Sequence, residues 1–376
     1  MLSRRDLIAG AAALAVSCGR RKASGYSGFA FVANEEGQAI AAVDLAVFAV
    51  ARHIALDARP TAVVAHPKKP LAYALARQPG RIYEIQGEKL WVTRRLNLPQ
   101  SALSVLISDD GANLYVLCRE PRRVAVISTR SLTITREYAL ASDPAEFSVS
   151  SDDRWIAVSH VSEPVISLID TQSARPADVI ATQGQIGAVR FRGDSKCLIA
   201  ADLTRRMLSL YEPVSRRPVV DLPLAVRPDH LCFNADRGQL FVAGDGLDGI
   251  VVVFPYYTPQ VAETVLAGHS PGAMAASADP AYLFVAGPNS SDVSILDIET
   301  RRLIAVTPVG SNPNCIVVTP DSAYALVLNQ TSGDMAVIRT ESISRAVAQS
   351  RRNRRGALFM MIPVGSKPVS AAVVSI

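Results

Sequence analysis

Five histidines are the first side chains to weigh for chemistry: His53, His66, His160, His230 and His269. Near neutral pH an imidazole can ligate a metal, relay a proton or act as a general base. Their spacing holds no H-x-x-x-H or H-E-x-x-H pair, so no single helix face carries two of them. A metal site would need His160, His230 and His269 to converge from distant segments. Asp245-Gly246-Leu247-Asp248-Gly249 alternates Asp and Gly but lacks the later Glu of a calcium loop, and reads as a tight turn. Cys118, Cys197, Cys232 and Cys315 show no C-x-x-C and no short spacing, which suits small buried apolar residues. No G-x-S-x-G elbow or G-x-G-x-x-G loop stands between a strand and a helix. Any site must therefore be assembled by the fold.

The elements that would assemble it repeat. Apolar tetrads open successive units: Phe31-Val32-Ala33-Asn34, Tyr73-Ala74-Leu75-Ala76, Tyr115-Val116-Leu117-Cys118 and Ile156-Ala157-Val158-Ser159. Ile199-Ala200-Ala201-Asp202, Phe241-Val242-Ala243-Gly244, Phe284-Val285-Ala286-Gly287 and Leu326-Val327-Leu328-Asn329 continue at the same period of 41 to 43 residues. A β-branched strand follows each tetrad, then a more polar one such as Arg302-Leu303-Ile304-Ala305-Val306. A proline turn introduces the fourth, as in Arg59-Pro60, Asp143-Pro144, Arg227-Pro228 and Lys367-Pro368. Four short antiparallel strands in about 42 residues make one propeller blade.

Leu283-Phe284-Val285-Ala286, Val293-Ser294-Ile295-Leu296-Asp297 and Thr307-Pro308-Val309-Gly310-Ser311-Asn312-Pro313 together resemble the YVTN-family propeller repeat. Ile362-Pro363-Val364-Gly365-Ser366-Lys367-Pro368 repeats the last phrase. The expected fold is all-β, an eight-bladed propeller over 28–376, with the seven blades usual in that family as the alternative. Closure is expected from the ends: the terminal strand Val369 to Ile376 pairs with Phe29 to Asn34, leaving no open edge. The resemblance implies an envelope or surface protein that works as a binding or scaffold module. It also implies two enzymatic alternatives. One is a lactonase-type hydrolase with His160, Asp202 or His230 as base. The other is a haem- or quinone-dependent periplasmic oxidoreductase with an axial ligand from His160, His230 or His269. No cofactor is expected from the residues themselves.

The first residues read as an address. Ser3-Arg4-Arg5-Asp6-Leu7 resembles a twin-arginine export motif, and the apolar run that follows is too short for a permanent membrane span. Leu14-Ala15-Val16-Ser17-Cys18 resembles a bacterial lipobox, giving a signal peptide over 1–17, lipid on Cys18 and a tether over 18–27. Gly19 after the cysteine permits sorting to the outer membrane, so the expected location is the periplasm or outer membrane, as a lipoprotein. Net charge is +5 with basic residues scattered, which argues against a nucleic-acid stripe; a hydrophobic share of 49% argues against disorder.

In a propeller, loops after the tetrads and loops entering the proline-led strands share the funnel face. That places Arg77, Arg119, His160, Asp202 and Asp245 in one loop set, and Arg59, Asp143, Asp229, His230, His269 and Asn314 in the other. Of these, Arg77, Arg119, His160, Asp202, Asp229, His230, Asp245 and His269 are the expected ligand-binding residues, facing an envelope protein or a small ligand; the chain is expected to be monomeric. A basic insertion over 340–356 carries Arg345, Arg351, Arg352, Arg354 and Arg355, suited to anionic lipid headgroups or a polyanionic glycan.

Overall fold

The computed structural model describes residues 25–173, 176–343 and 357–376. Cys18 and the arginines at 345, 351, 352, 354 and 355 lie outside them. Thirty-two strands, from β1 (Gly28–Asn34) to β32 (Pro368–Ser375), form eight four-stranded antiparallel sheets arranged as blades. Blade one takes its outer three strands from the start of the chain and its innermost strand, β32, from the end. Register runs from Gly28↔Ser375 to Asn34↔Pro368, so the expected closure is present. Blades two to eight follow in order, their innermost strands beginning at Pro60, Ser101, Pro144, Ile186, His230, Met274 and Pro313. Proline suits that first position, where a missing N–H breaks no ladder bond.

Burial explains why the tetrads were so regular. Second strands such as Trp155–His160, Tyr282–Gly287 and Tyr324–Asn329 are buried along their whole length. Both faces of such a strand are covered by neighbouring blades, so it reads as a continuous apolar run rather than an alternation. Eight apolar cores result, one at each blade interface, for instance Phe31 with Tyr83 between blades one and two. Outer strands such as Thr133–Ala139 are covered on one side only and keep their charged residues.

One position recurs at the turn between first and second strands: His66, Ser108, Ser150, Arg192, Asn234, Ser277 and Thr319. In five of them the side-chain oxygen accepts the N–H five residues on, at 2.8 to 3.1 Å. Such a bond satisfies a turn donor that would otherwise lie buried. His66 does the same work with Nδ1, which accepts the Lys68 and Lys69 N–H groups at 3.0 and 3.1 Å. It is a turn cap on the face opposite the funnel. His53 lies exposed on the outer strand Ala49–Ala55.

Cys118 and Cys197 are buried, Cys232 and Cys315 half-buried, and all four are free. Burial pushes their thiols up, Cys197 to about 11 and Cys232 to about 12. Because the thiolate is the reactive form, Ellman's reagent at pH 8 should label these four slowly in the folded protein and completely in guanidinium chloride. A fast-reacting native thiol would contradict this burial.

Candidate functional site

The funnel face gathers two of the expected residues into one depression. Arg77 is the first residue after the strand Leu71–Ala76, and Arg119 sits near the end of Asn113–Glu120. Each strand hands its last side chain to the mouth as the chain turns outward. Arg59, which leads into Pro60, joins them in a cavity of about 480 Å³ that also meets Glu35, Thr61 and Gln78. Its guanidinium groups differ in what they already hold. Arg119 Nε lies 3.1 Å from Asp143 Oδ1, bridging blades three and four. Arg77 Nε donates to the Leu103 carbonyl at 3.1 Å, and its terminal nitrogens meet no carboxylate among the described residues. Arg59 meets no ion-pair partner among the described residues. The carboxylate on this wall, Glu35, is held by Lys367 Nζ at 2.8 Å, and its hydrogen bond raises the lysine's pKa. The depression thus presents the Arg59 guanidinium and the terminal nitrogens of Arg77, donors that suit carboxylate or phosphate oxygens.

The remaining expected residues occupy the other half of the ring and are engaged with the protein itself. His160 is fully buried, its Nε2 2.8 Å from Ser167 Oγ. Burial holds its imidazole below the ordinary value, against weaker opposing pulls from nearby backbone and from Glu163 and Asp143. Asp202 is equally buried and accepts the Arg205 N–H at 2.8 Å. Gly184 is pressed against it: a Cβ there would lie 2.3 Å from Asp202 Oδ1. Asp229 accepts from Arg227 Nε at 2.8 Å and from the Asp245 N–H at 3.0 Å. Asp245 itself is exposed. His269 is exposed, with Nδ1 3.0 Å from Asp248 Oδ1, whose carboxyl it helps to hold low.

His230 begins the innermost strand of blade six, His230–Phe233. Water reaches it, yet protein surrounds it closely enough that burial lowers its pKa, opposed by the charges of Asp229 and Glu146. Glu146 belongs to blade four and pairs with Arg190 of blade five at 2.5 Å. Neither Glu146 nor Arg190 stands out in the sequence, because the inner strands declare themselves by their leading residues and not by polar groups midway. The three histidines do not converge. Among the described residues no three His, Cys, Asp or Glu side chains gather closely enough for a metal ion.

No family model matches the chain, and no curated protein does. The solved structures it resembles are propellers. "Dihydro-heme d1 dehydrogenase NirN in complex with DHE" superposes with a TM-score of 0.75 at 15% identity, over 92% of this chain and 74% of that one. Apo AztD from Citrobacter koseri gives 0.70 at 12% identity, over 93% and 98%. The Cps50 (Swd1) β-propeller domain from Myceliophteria thermophila gives 0.62 at 14%, over 75% and 96%. At these identities the likeness is one of fold.

Proposed function

We propose that this chain is an exported, lipid-tethered, monomeric propeller that binds an anionic ligand, free or displayed on an envelope protein, at its funnel mouth. The observation that carries the reading is the depression walled by Arg59, Arg77 and Arg119, in which Arg59 and the terminal nitrogens of Arg77 meet no carboxylate among the described residues. A rigid ring holds these groups in place before the ligand arrives, which lowers the ordering cost of binding. Cys18 supplies the tether and the leader the export route, as the lipobox and the paired arginines suggest. Among the described residues no helix is long and apolar enough to cross a membrane.

Calorimetric titration with succinate and with inorganic phosphate tests the reading. We expect saturable binding of at least one anion, weakened about tenfold by Arg59→Ala or Arg77→Ala, as one lost charge-assisted hydrogen bond implies. Binding that is absent, or equal in the arginine variants, would rule the site out. An absorbance spectrum of the same natively purified protein separates this reading from a haem or quinone oxidoreductase using His230. A cofactor band that His230→Ala abolishes would favour the enzyme.

A further inference from the structure

The outer strand of each blade is a free sheet edge, and such edges are ordinarily guarded by charge. Seven of the eight carry at least one charged residue within the strand, among them Arg52, Arg94, Arg136, Asp178, Asp221, Glu263 and Arg302. The eighth is Leu358–Pro363, Leu-Phe-Met-Met-Ile-Pro, with none. Three consecutive large side chains on it, Phe359, Met360 and Met361, are exposed. Phe359 packs edge-on against Phe48 of blade one at 5.1 Å, so the apolar strip continues across the blade seam to Val47, which is 58% exposed.

The tether leaves the domain at this place. The turn holding Val47 joins the strands Ala39–Asp44 and Ala49–Ala55 on the face opposite the funnel. Gly25 lies against that turn, where a Cβ would come 2.1 Å from the Leu45 carbonyl. The chain's other end joins the same cluster: Ile376, itself half exposed, donates its N–H to the Ser27 carbonyl at 3.3 Å. From Gly25 back to Cys18 is seven residues, a reach of at most about 25 Å for an extended chain. Those seven include Arg20, Arg21 and Lys22, basic neighbours suited to an anionic headgroup layer.

We propose that this rim, formed by Val47, Phe359, Met360, Met361 and Ile376 over the buried Phe48, rests on the lipid surface to which Cys18 is anchored. The inference depends on the lipoprotein reading above. A strand edge with no charged residue of its own, its one adjoining cation being Arg339 stacked on Phe359 at 4.0 Å among the described residues, and a short basic tether at one spot fit an anionic bilayer better than a soluble partner, because the lipid is already held within reach. The arginine depression lies on the other face, roughly 20 Å away across the strands, and so is turned away from the membrane.

The test uses full-length lipidated protein in vesicles of phosphatidylethanolamine and phosphatidylglycerol. Bimane is placed on V47C, M360C or, as a funnel-face control, H269C; the slow native thiols allow selective labelling, and labelled parent protein provides the background. We expect the Val47 and Met360 probes to shift to the blue, to be quenched by doxyl lipid and to lose quenching by iodide. The His269 probe should stay open to iodide. Lipidated protein whose rim probes remain open to iodide overturns the docking alone, as do rim probes shielded from both quenchers, which would identify a protein cover. A mass spectrum without diacylglycerol on Cys18 overturns the lipoprotein reading, and the docking with it.

Discussion

Ending the chain at Lys367, without the strand Pro368–Ser375, should abolish cooperative unfolding and soluble accumulation of the propeller. That strand is the innermost of blade one, and its loss strips β1 of seven register partners from Gly28 to Asn34. Ala371, Ala372 and Val374 leave two cores at once, those joining blade one to blade eight and to blade two. Val63 also loses the bond that its N–H donates to Ser370 Oγ at 3.1 Å. Two buried methyl groups and one buried valine are worth roughly 3–5 kcal/mol together, a large share of the margin of about 5–15 kcal/mol that a domain has, before the lost ladder bonds are counted. Worse, β1 becomes an exposed apolar edge, the kind that pairs with other copies. The milder variant Ala372→Asp keeps the strand but buries an unpaired charge beside Phe31's core, and should lower the urea midpoint without changing the slope. A truncated chain that still melts cooperatively at the parent temperature would show that closure does not depend on β32.

That closure is legible in the order of strands along the chain, and the reason is physical. A ring that must leave no edge constrains both ends of the chain, and the order of apolar and proline-led strands reveals which strand is missing at each end. The count of eight blades followed from the same period. The funnel was only partly legible. Position in the repeat predicts which face a residue reaches, and it sends Arg77 and Arg119 to one mouth. It says nothing about whether a polar side chain at that mouth turns outward or folds under the loop. His160 and Asp202 fold under, because Ser167 and the Arg205 N–H offer them partners inside. Glu35 and Lys367 were not singled out, since their pairing joins residues more than three hundred positions apart. The caps at the lower turns show the converse: Ser108, Ser150 and Thr319 look ordinary singly and become meaningful at their common spacing.

Replacing Arg94 by Met should be among the most damaging single changes, for it leaves Glu84 charged and buried. Glu84 points from the third strand of blade two, Arg81–Gln86, and its side chain is 5% exposed. It accepts Arg94 Nε at 2.8 Å and Thr93 Oγ1 at 2.7 Å, a second contact from Arg94 Nη2, and the Tyr73 hydroxyl at 3.3 Å. Arg94 continues into blade three, donating to the carbonyls of Thr129 at 2.7 Å and Arg130 at 2.8 Å. The network is a bolt between two blades. Burial alone would push the Glu84 carboxyl up, but the bonds from Arg94 and Thr93 and the arginine's charge outweigh it, and the group ends below its ordinary value. Breaking a buried pair from one side costs about 3–5 kcal/mol; with Arg94 a third exposed, about 3 is the expected loss in urea titration. Glu84→Leu combined with Arg94→Met removes both charges and should recover much of that loss. The pH dependence has a definite sign. A carboxyl whose folded pKa is depressed stabilises the fold above its unfolded pKa, near 4.5, and ceases to as pH falls through the folded value. The gap between parent and Glu84→Gln should therefore stay constant from about pH 5.5 to about pH 8 and close in acid. A gap that instead widened below pH 4 would mean that Glu84 is protonated in the folded ring and that Arg94 bonds to the blade-three carbonyls without it.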